Sequence, residues 1–213
     1  MRRDPETPVK LGKDRIDIDG KPLQAEAKVY LVLNKPRGIV TTAEDEKGRD
    51  TVYSLLPPGT PWVGPVGRLD MASEGLLLLT NDSEWAAQIA APETHLDKIY
   101  HVQIGTVADD ALLQELQAGF TVEDGEMLRV KRAETLRSGE RNSWLEITLD
   151  EGKNRHIRRM FEHRKIAMLR LIRVAIGPLA LADLPKGTTR PLTPTEKLAL
   201  DHAVHRRAAG AGN

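Results

Sequence analysis

The chain of 213 residues contains no cysteine. That absence removes disulfides, thiol nucleophiles and thiolate metal sites from consideration, and it fits a reducing, cytoplasmic setting. No hydrophobic run approaches the roughly 20 apolar residues that a membrane helix needs. The opening MRRDPETPVKLGK has arginines but no apolar stretch behind them, so it does not read as a secretory signal. Net charge is also missing: Lys plus Arg equal Asp plus Glu, at 31 each. There is no global basic field of the kind many nucleic-acid binders carry, and any anion-binding surface must come from local clustering. The six histidines are scattered, and His156 with His163 miss the i, i+4 spacing of a helical zinc pair. Neither a G-x-G-x-x-G nor a P-loop occurs, which argues against a nucleotide cofactor. No metal and no cofactor are expected.

What is present is a folding composition, 40% apolar and 29% charged, in a length that suits one substantial domain and a small appendage. Residues 1–27 read as the appendage, with Ile16 and Ile18 alternating with Asp17 and Asp19 before an Asp19-Gly20 hairpin turn. VYLVLNKPRGIVTT reads as a strand, a turn at Asn34 to Gly38 and a β-branched continuation, and residues 43–65 as loop and short turns. The stretch VGRLDMASEGLLLLTND places Arg68 and Asp70 in a glycine-flanked turn ahead of the apolar run Leu76 to Leu79. EWAAQIAA is then helical up to Pro92. KIYHVQIG is a strand with Tyr100, Val102 and Ile104 on one face. ADDALLQELQAG is a helix with Leu112 and Leu116 on its stripe and Gly119 as its stop. WLEITLDEG alternates Leu145, Ile147 and Leu149. KNRHIRRMFEHR suits a helix with Asn154 as its cap and Ile157 and Phe161 inward, and LRLIRVAIGPLAL returns to strand. Thr193, Pro194 and Glu196 form a capping box for a last helix. Strands outnumber helices without alternating with them, so the expected fold class is α+β on a largely antiparallel central sheet. The main domain should span 28–204, with a disordered tail at 205–213.

Taken locally, the charge becomes informative. From Lys153 to Arg173 there are eight basic residues against one acid, Glu162. A solvated helix face is the ordinary meaning of such a run, whereas a phosphate-facing patch is the functional one, favoured because the basics continue into the next strand. Asp70 taken alone suits an Asx turn. A loop ending on a buried strand is also where rigid scaffolds mount reactive groups, and neighbouring guanidinium groups favour the ionised carboxylate that a nucleophile needs. Tyr100 reads first as a core residue with its hydroxyl at the rim, and alternatively as a flat ring for a base to stack on. Trp62, Trp85 and Trp144 read as packing residues.

Four separated motifs, NKPRGIVTT, VGRLDMASEGLLLLTND, KIYHVQI and EGKNRHIRRMF, followed by LIRVAIGPLAL, occur in order over residues 29–200. As an ordered set they resemble the ribosomal RNA pseudouridine synthases, in the family that joins type A of the small subunit with types B, E and F of the large one. The resemblance implies isomerisation of uridine to pseudouridine without a cofactor. Its partner would be ribosomal RNA and, from the wording SEGLLLLTND, large-subunit RNA in particular. It puts the family aspartate, a nucleophile, at Asp70. Tyr100 would be the base-stacking tyrosine, engaged in proton movement at C5, and Arg158 the basic partner of the aspartate. Arg68, Arg155, Arg159 and Leu171 would be substrate-binding residues. His156 stands where many relatives have Gln, and Ser73 where several have Thr. Residues 1–27, through VKLGKDRIDIDGKPL, resemble only the end of an S4-type RNA-binding domain. Two rival classes are a non-catalytic RNA-binding ribosome-assembly factor on the same fold and a glycosidase of free nucleosides.

Overall fold

The structure, a computed structural model, describes residues 17–18, 21–22, 27–42 and 45–210. Asp17–Ile18 (β1) and Lys21–Pro22 (β2) form an antiparallel pair, Ile18 opposite Lys21. The Asp19-Gly20 turn and most of the S4-like appendage lie outside the described residues. Next come Tyr30–Lys35 (β3), a turn at Arg37 and Gly38, a 3-10 turn at Val52–Leu55, Gly64–Val66 (β4) and Glu74–Thr80 (β5).

All of β5 is buried, because both its edges are paired and both its faces are covered. Along one edge β3 sets Leu33 opposite Leu77, and along the other β4 sets Val66 opposite Leu78. Leu76 and Leu78 enter one core with Val32, Trp85 and Ile89. Leu77 and Leu79 enter another with Leu33, Val52, Val63 and Leu69. A strand buried on two faces needs no polar alternation, which is why the sequence there is an unbroken run of leucine.

Ser83–Ala90 (α1) begins where Asp82 accepts the Trp85 N–H at 3.3 Å. It is followed by Lys98–Ile104 (β6) and by Asp110–Ala118 (α2), which Gly119 ends at φ +81°. Phe120–Thr121 (β7), Met127–Leu128 (β8), Arg132–Ser138 (β9) and Ser143–Leu149 (β10) come next. Val102, Ile104, Leu145 and Ile147 build a third core with Leu116 and with Ile157 and Phe161 of His156–His163 (α3). The expected cap at Asn154 is not used. The Lys153 carbonyl accepts the His156 N–H at 3.3 Å in a turn that passes the capping position to Arg155, in left-handed conformation at φ +48° and without a side-chain capping bond.

Met168–Ile176 (β11), Leu179–Ala180 (β12), Thr189–Pro191 (β13) and Pro194–Gly210 (α4) complete the chain. The capping box of α4 forms in both directions, Glu196 N–H to Thr193 Oγ1 at 3.2 Å and Thr193 N–H to Glu196 Oε2 at 2.9 Å. The helix runs past His205, where the sequence reading starts a tail. Alanine and arginine are strong helix formers, and they dominate residues 206–209. Residues 211–213 lie outside the described residues.

The large sheet has the order β13-β3-β5-β11-β6-β10-β9, with β4 also on β5 and β12 on β11. Every pairing in it is antiparallel except that of β5 with β11, which is parallel and holds only Glu74 opposite Ile172 and Gly75 opposite Arg173. The α+β sheet is therefore two antiparallel halves joined at a short parallel seam. Gly75 makes the seam possible: its φ is +104°, and an added Cβ would lie 2.2 Å from the Arg173 carbonyl oxygen. Gly75→Ala combines that clash with a backbone conformation that L side chains avoid. It should cost about 3 kcal/mol or more in denaturant unfolding, in the range of the severe single substitutions. A loss under about 1 kcal/mol would show that the halves can separate freely at this point.

Candidate active site

A cleft of about 200 Å³ opens along the seam. The β3-β5 half contributes Arg68, Asp70 and Ser73 from the turn leading into β5. The other half contributes Tyr100 from β6, Leu171 and Arg173 from β11, and Arg155, His156 and Arg158 from the start of α3.

The turn that carries Asp70 hangs on a buried cation. Lys35, with no exposed surface, donates from Nζ to the carbonyls of Asp70 at 3.1 Å, Ser73 at 2.9 Å and Pro36 at 3.1 Å. An ammonium has three N–H donors and no acceptor, so these carbonyls satisfy it fully. Burial pushes the Lys35 pKa down to about 8, against the opposing pull of Asp70 and Glu74. Further ties come from Ser73 N–H to Asp70 O at 2.9 Å, Gly38 N–H to Met71 O at 2.8 Å, and Thr41 Oγ1 to Leu69 O at 2.8 Å.

With the backbone held in this way, the Asp70 carboxylate is not spent on an Asx turn. Among the described residues no backbone N–H donates to it, and its neighbour is Arg158, whose Nε lies 3.3 Å from Oδ2. That N–H is not aimed at the oxygen, so the contact is an ion pair rather than a hydrogen bond. Nη2 of Arg158 donates to Ser73 Oγ at 3.1 Å, so one guanidinium braces both ends of the turn. Burial lowers the Arg158 pKa from its usual value, and Asp70 opposes that shift.

Tyr100 is half-buried between two cores and stands between Ile147 of β10 and Arg173 of β11 in the ladder. It is a core tyrosine and a wall of the cleft at once. Leu171 is buried beside it. Arg68 and Arg155 line both the cleft and an adjoining groove of about 520 Å³ that also includes Thr41, Lys47 and Met71. Arg155 also donates to Glu162 at 2.6 Å.

Arg159 is not brought to the cleft. Successive helical residues point about 100° apart, and with Arg158 inward Arg159 is turned to Glu126 at 2.6 Å and to Asp124, beside a separate groove that includes His163. The basic segment as a whole is likewise not a bare row of cations. Carboxylates from other elements close onto Lys153, Arg158, Arg159, Arg164 and Arg170, and Glu162 of the segment itself pairs with Arg155. Glu74, Glu115, Asp124 and Glu126 are distant in sequence but adjacent in space, which a local charge count cannot register.

Two contributors had no role in the sequence reading, Lys35 and Ser73, while Arg173 figured there only as the end of the basic run. For Lys35 a signal existed, since it shares the period-two face of Leu31 and Leu33 and Leu33 is fully buried. Among the described residues no cluster of His, Asp and Glu could hold a metal ion, and no helix is long and apolar enough to cross a membrane.

Residues 29–163 match the family model for RNA pseudouridylate synthase, and the chain belongs to that family. The ribosomal large subunit pseudouridine synthase B of Bacillus subtilis (strain 168) is 36% identical over 186 residues, covering 87% of this chain and 76% of the relative. The protein of that name from Xylella fastidiosa (strain Temecula1 / ATCC 700964) is 35% identical over 199 residues, covering 88% of this chain but 41% of the relative. Among solved structures, a crystal structure of pseudouridylate synthase superposes with a TM-score of 0.72 at 28% identity, over 83% of this chain and 75% of that one. The human RNA pseudouridylate synthase domain containing 1 shares the fold, with a TM-score of 0.51 at 12% identity over 88% of this chain and 93% of that one.

The Lys35 pKa of about 8 makes a pH dependence with two opposite signs. Above that pH the folded lysine loses a proton and one of its three donors, so the Asp70 turn loosens and the rate of the chemical step should fall. The unfolded lysine keeps its proton to about pH 10.4, so the unfolded state binds more protons in this window and the Lys35 contribution to stability rises with pH. Single-turnover rates and urea unfolding measured from pH 7 to 10 should diverge accordingly. Rate and stability falling together would contradict the assignment.

Proposed function

We propose that the chain isomerises uridine to pseudouridine in ribosomal RNA, and that the RNA is that of the large subunit, free or partly assembled. The observation that carries this is the Asp70 carboxylate, held on a rigid turn against Arg158 and facing Tyr100 and Leu171 across one cleft. The choice of large-subunit RNA is supported by the names of the relatives from Bacillus subtilis and Xylella fastidiosa.

A uridine inside a stack cannot reach Asp70, so the base is flipped into the cleft, where the Tyr100 ring offsets part of the lost stacking. Leu171 forms the apolar wall. Asp70 acts as nucleophile on the ribose side as the bond from C1′ to N1 breaks, and Arg158 orients it. The uracil turns and rejoins through C5, with Tyr100 placed for the proton movement there. Arg68 and Arg155, at the mouth, meet the flanking phosphates. Arg159, committed to two carboxylates away from the cleft, has no part in this scheme. The rearrangement imports no atoms and transfers no net electrons, so it calls for no cofactor.

Asp70→Asn should lower pseudouridine formation in isolated large-subunit rRNA by about a thousandfold or more, the scale of losing a nucleophile. Arg158→Met should lower the single-turnover rate by about a hundredfold while RNA affinity stays within about threefold. Undiminished turnover in Asp70→Asn would sink the nucleophile assignment. Equal losses of rate and affinity in Arg158→Met would make Arg158 a phosphate contact. A wild-type chain that binds rRNA and forms no product would belong to the assembly-factor class.

A further inference from the structure

We propose that Arg173 contacts the substrate: its guanidinium takes the carbonyl edge of the flipped uracil and balances the negative charge the base carries after it leaves the ribose. This rests on the isomerase reading above and adds a partner for the leaving base, which that reading does not supply.

Arg173 is 6% exposed, and its surroundings do not account for its charge. Nε donates to the Leu76 carbonyl at 2.8 Å, while Nη2 is enclosed without a hydrogen-bond partner. Six other cations of the segment from Lys153 to Arg173 face carboxylates, but among the described residues Arg173 forms no ion pair. A desolvated cation with unused donors is expensive, and an apolar residue of similar volume would serve the core better. A group kept at that cost on the wall of a cleft is expected to meet its partner there.

Its placement names the partner. Arg173 lies directly opposite Tyr100 in the β11-β6 ladder, so the two side chains rise on the same face, with Cβ atoms about 5 Å apart. On its other edge the neighbour is Gly75, which has no side chain to fill the space. The guanidinium therefore stands beside the ring on which the base is proposed to stack and in the same cleft as Asp70. Arg158 is engaged with Asp70 and Ser73, and Arg68 and Arg155 are exposed at the mouth, where phosphates would lie. The deep position is left to a ligand group that is neutral on entry and anionic during reaction.

Uracil has that property. When the bond from C1′ to N1 breaks, its electron pair goes to N1 and is delocalised over O2 and O4, while Asp70 balances the electron-poor C1′. The pair then returns through C5 to make the new bond to C1′. The C5 proton is lost as N1 gains one, with nothing oxidised or reduced. Fixed N–H donors at the O2 or O4 edge stabilise the intermediate charge more than the neutral ground state, which is the requirement for accelerating the step.

The test uses the full chain and large-subunit rRNA in single-turnover assays of pseudouridine, with RNA binding and thermal unfolding measured in parallel. Arg173→Ala should slow the chemical step by about a hundredfold or more while RNA affinity stays within about threefold. Guanidinium chloride at about 50 mM, far below denaturing levels, should restore at least part of the Arg173→Ala rate where sodium chloride at equal ionic strength does not. Arg173→Lys, which keeps the charge and most of the packing, should fold as the wild type does and be intermediate in rate. A wild-type rate in Arg173→Ala overturns the proposal. So does a loss of rate matched by a loss of affinity or folding, without rescue by guanidinium and with Arg173→Lys unimpaired in rate. If the wild-type chain itself forms no pseudouridine, it is the isomerase reading that fails; if the wild type turns over and Arg173→Ala equals it, only the role of Arg173 fails.

Discussion

Everything in the candidate site depends on β5 and β11 lying side by side, in parallel, at Glu74 to Gly75. Asp70 belongs to the turn that opens β5, while Tyr100, Leu171 and Arg158 belong to the half of the sheet organised around β11 and β6. The seam is where the two antiparallel units meet, and it sets the spacing that the bonds from Arg158 to Ser73 and from Arg173 to the Leu76 carbonyl then span. A parallel contact this short has little hydrogen bonding of its own. Its strength comes from what flanks it: the double burial of β5, the missing side chain of Gly75, and the salt links from Glu74 to Arg170 at 3.0 Å and to Lys186.

The second constraint is local. A carboxylate in the role proposed for Asp70 cannot also be the group that shapes its own turn, and here the shaping is passed to Lys35, which fastens three backbone carbonyls from below. The cost is a buried ammonium with a depressed pKa. The gain is that the Asp70 side chain stays open to the cleft, with Arg158 beside it. Preorganisation of this kind lets a few charged groups act strongly in a partly desolvated site.

Much of the fold was legible because its signals are local. The leucine run of β5, the alternation in β6 and β10, the Gly119 stop and the capping box at Thr193 and Glu196 each follow from a few adjacent residues. The seam was not legible, since nothing in GLLLLT or LRLIRV says that these strands meet in parallel. Asp70, Tyr100, Arg158, Arg68, Arg155 and Leu171 do converge on one cleft, whereas Arg159 faces away from it. That difference depends on helix phase and on carboxylates far away in sequence. The basic segment looked like a bare phosphate stripe for the same reason. Lys35 escapes a reading of the sequence because a charged residue in a strand reads as a solvent-facing one until its neighbours are known, and Arg173 reads there only as the end of the basic run.

If this cleft converts a uridine of large-subunit rRNA through Asp70, as proposed, the modification pattern of cellular rRNA depends on that one carboxylate. The most direct measurement is a map of pseudouridines in rRNA from cells lacking the gene, complemented with either the wild-type chain or Asp70→Asn. A large-subunit pseudouridine should disappear with the gene, return with the wild-type chain, and stay absent with Asp70→Asn although that protein is present and folded. An unchanged pseudouridine pattern without the gene, or full restoration by Asp70→Asn, would contradict it.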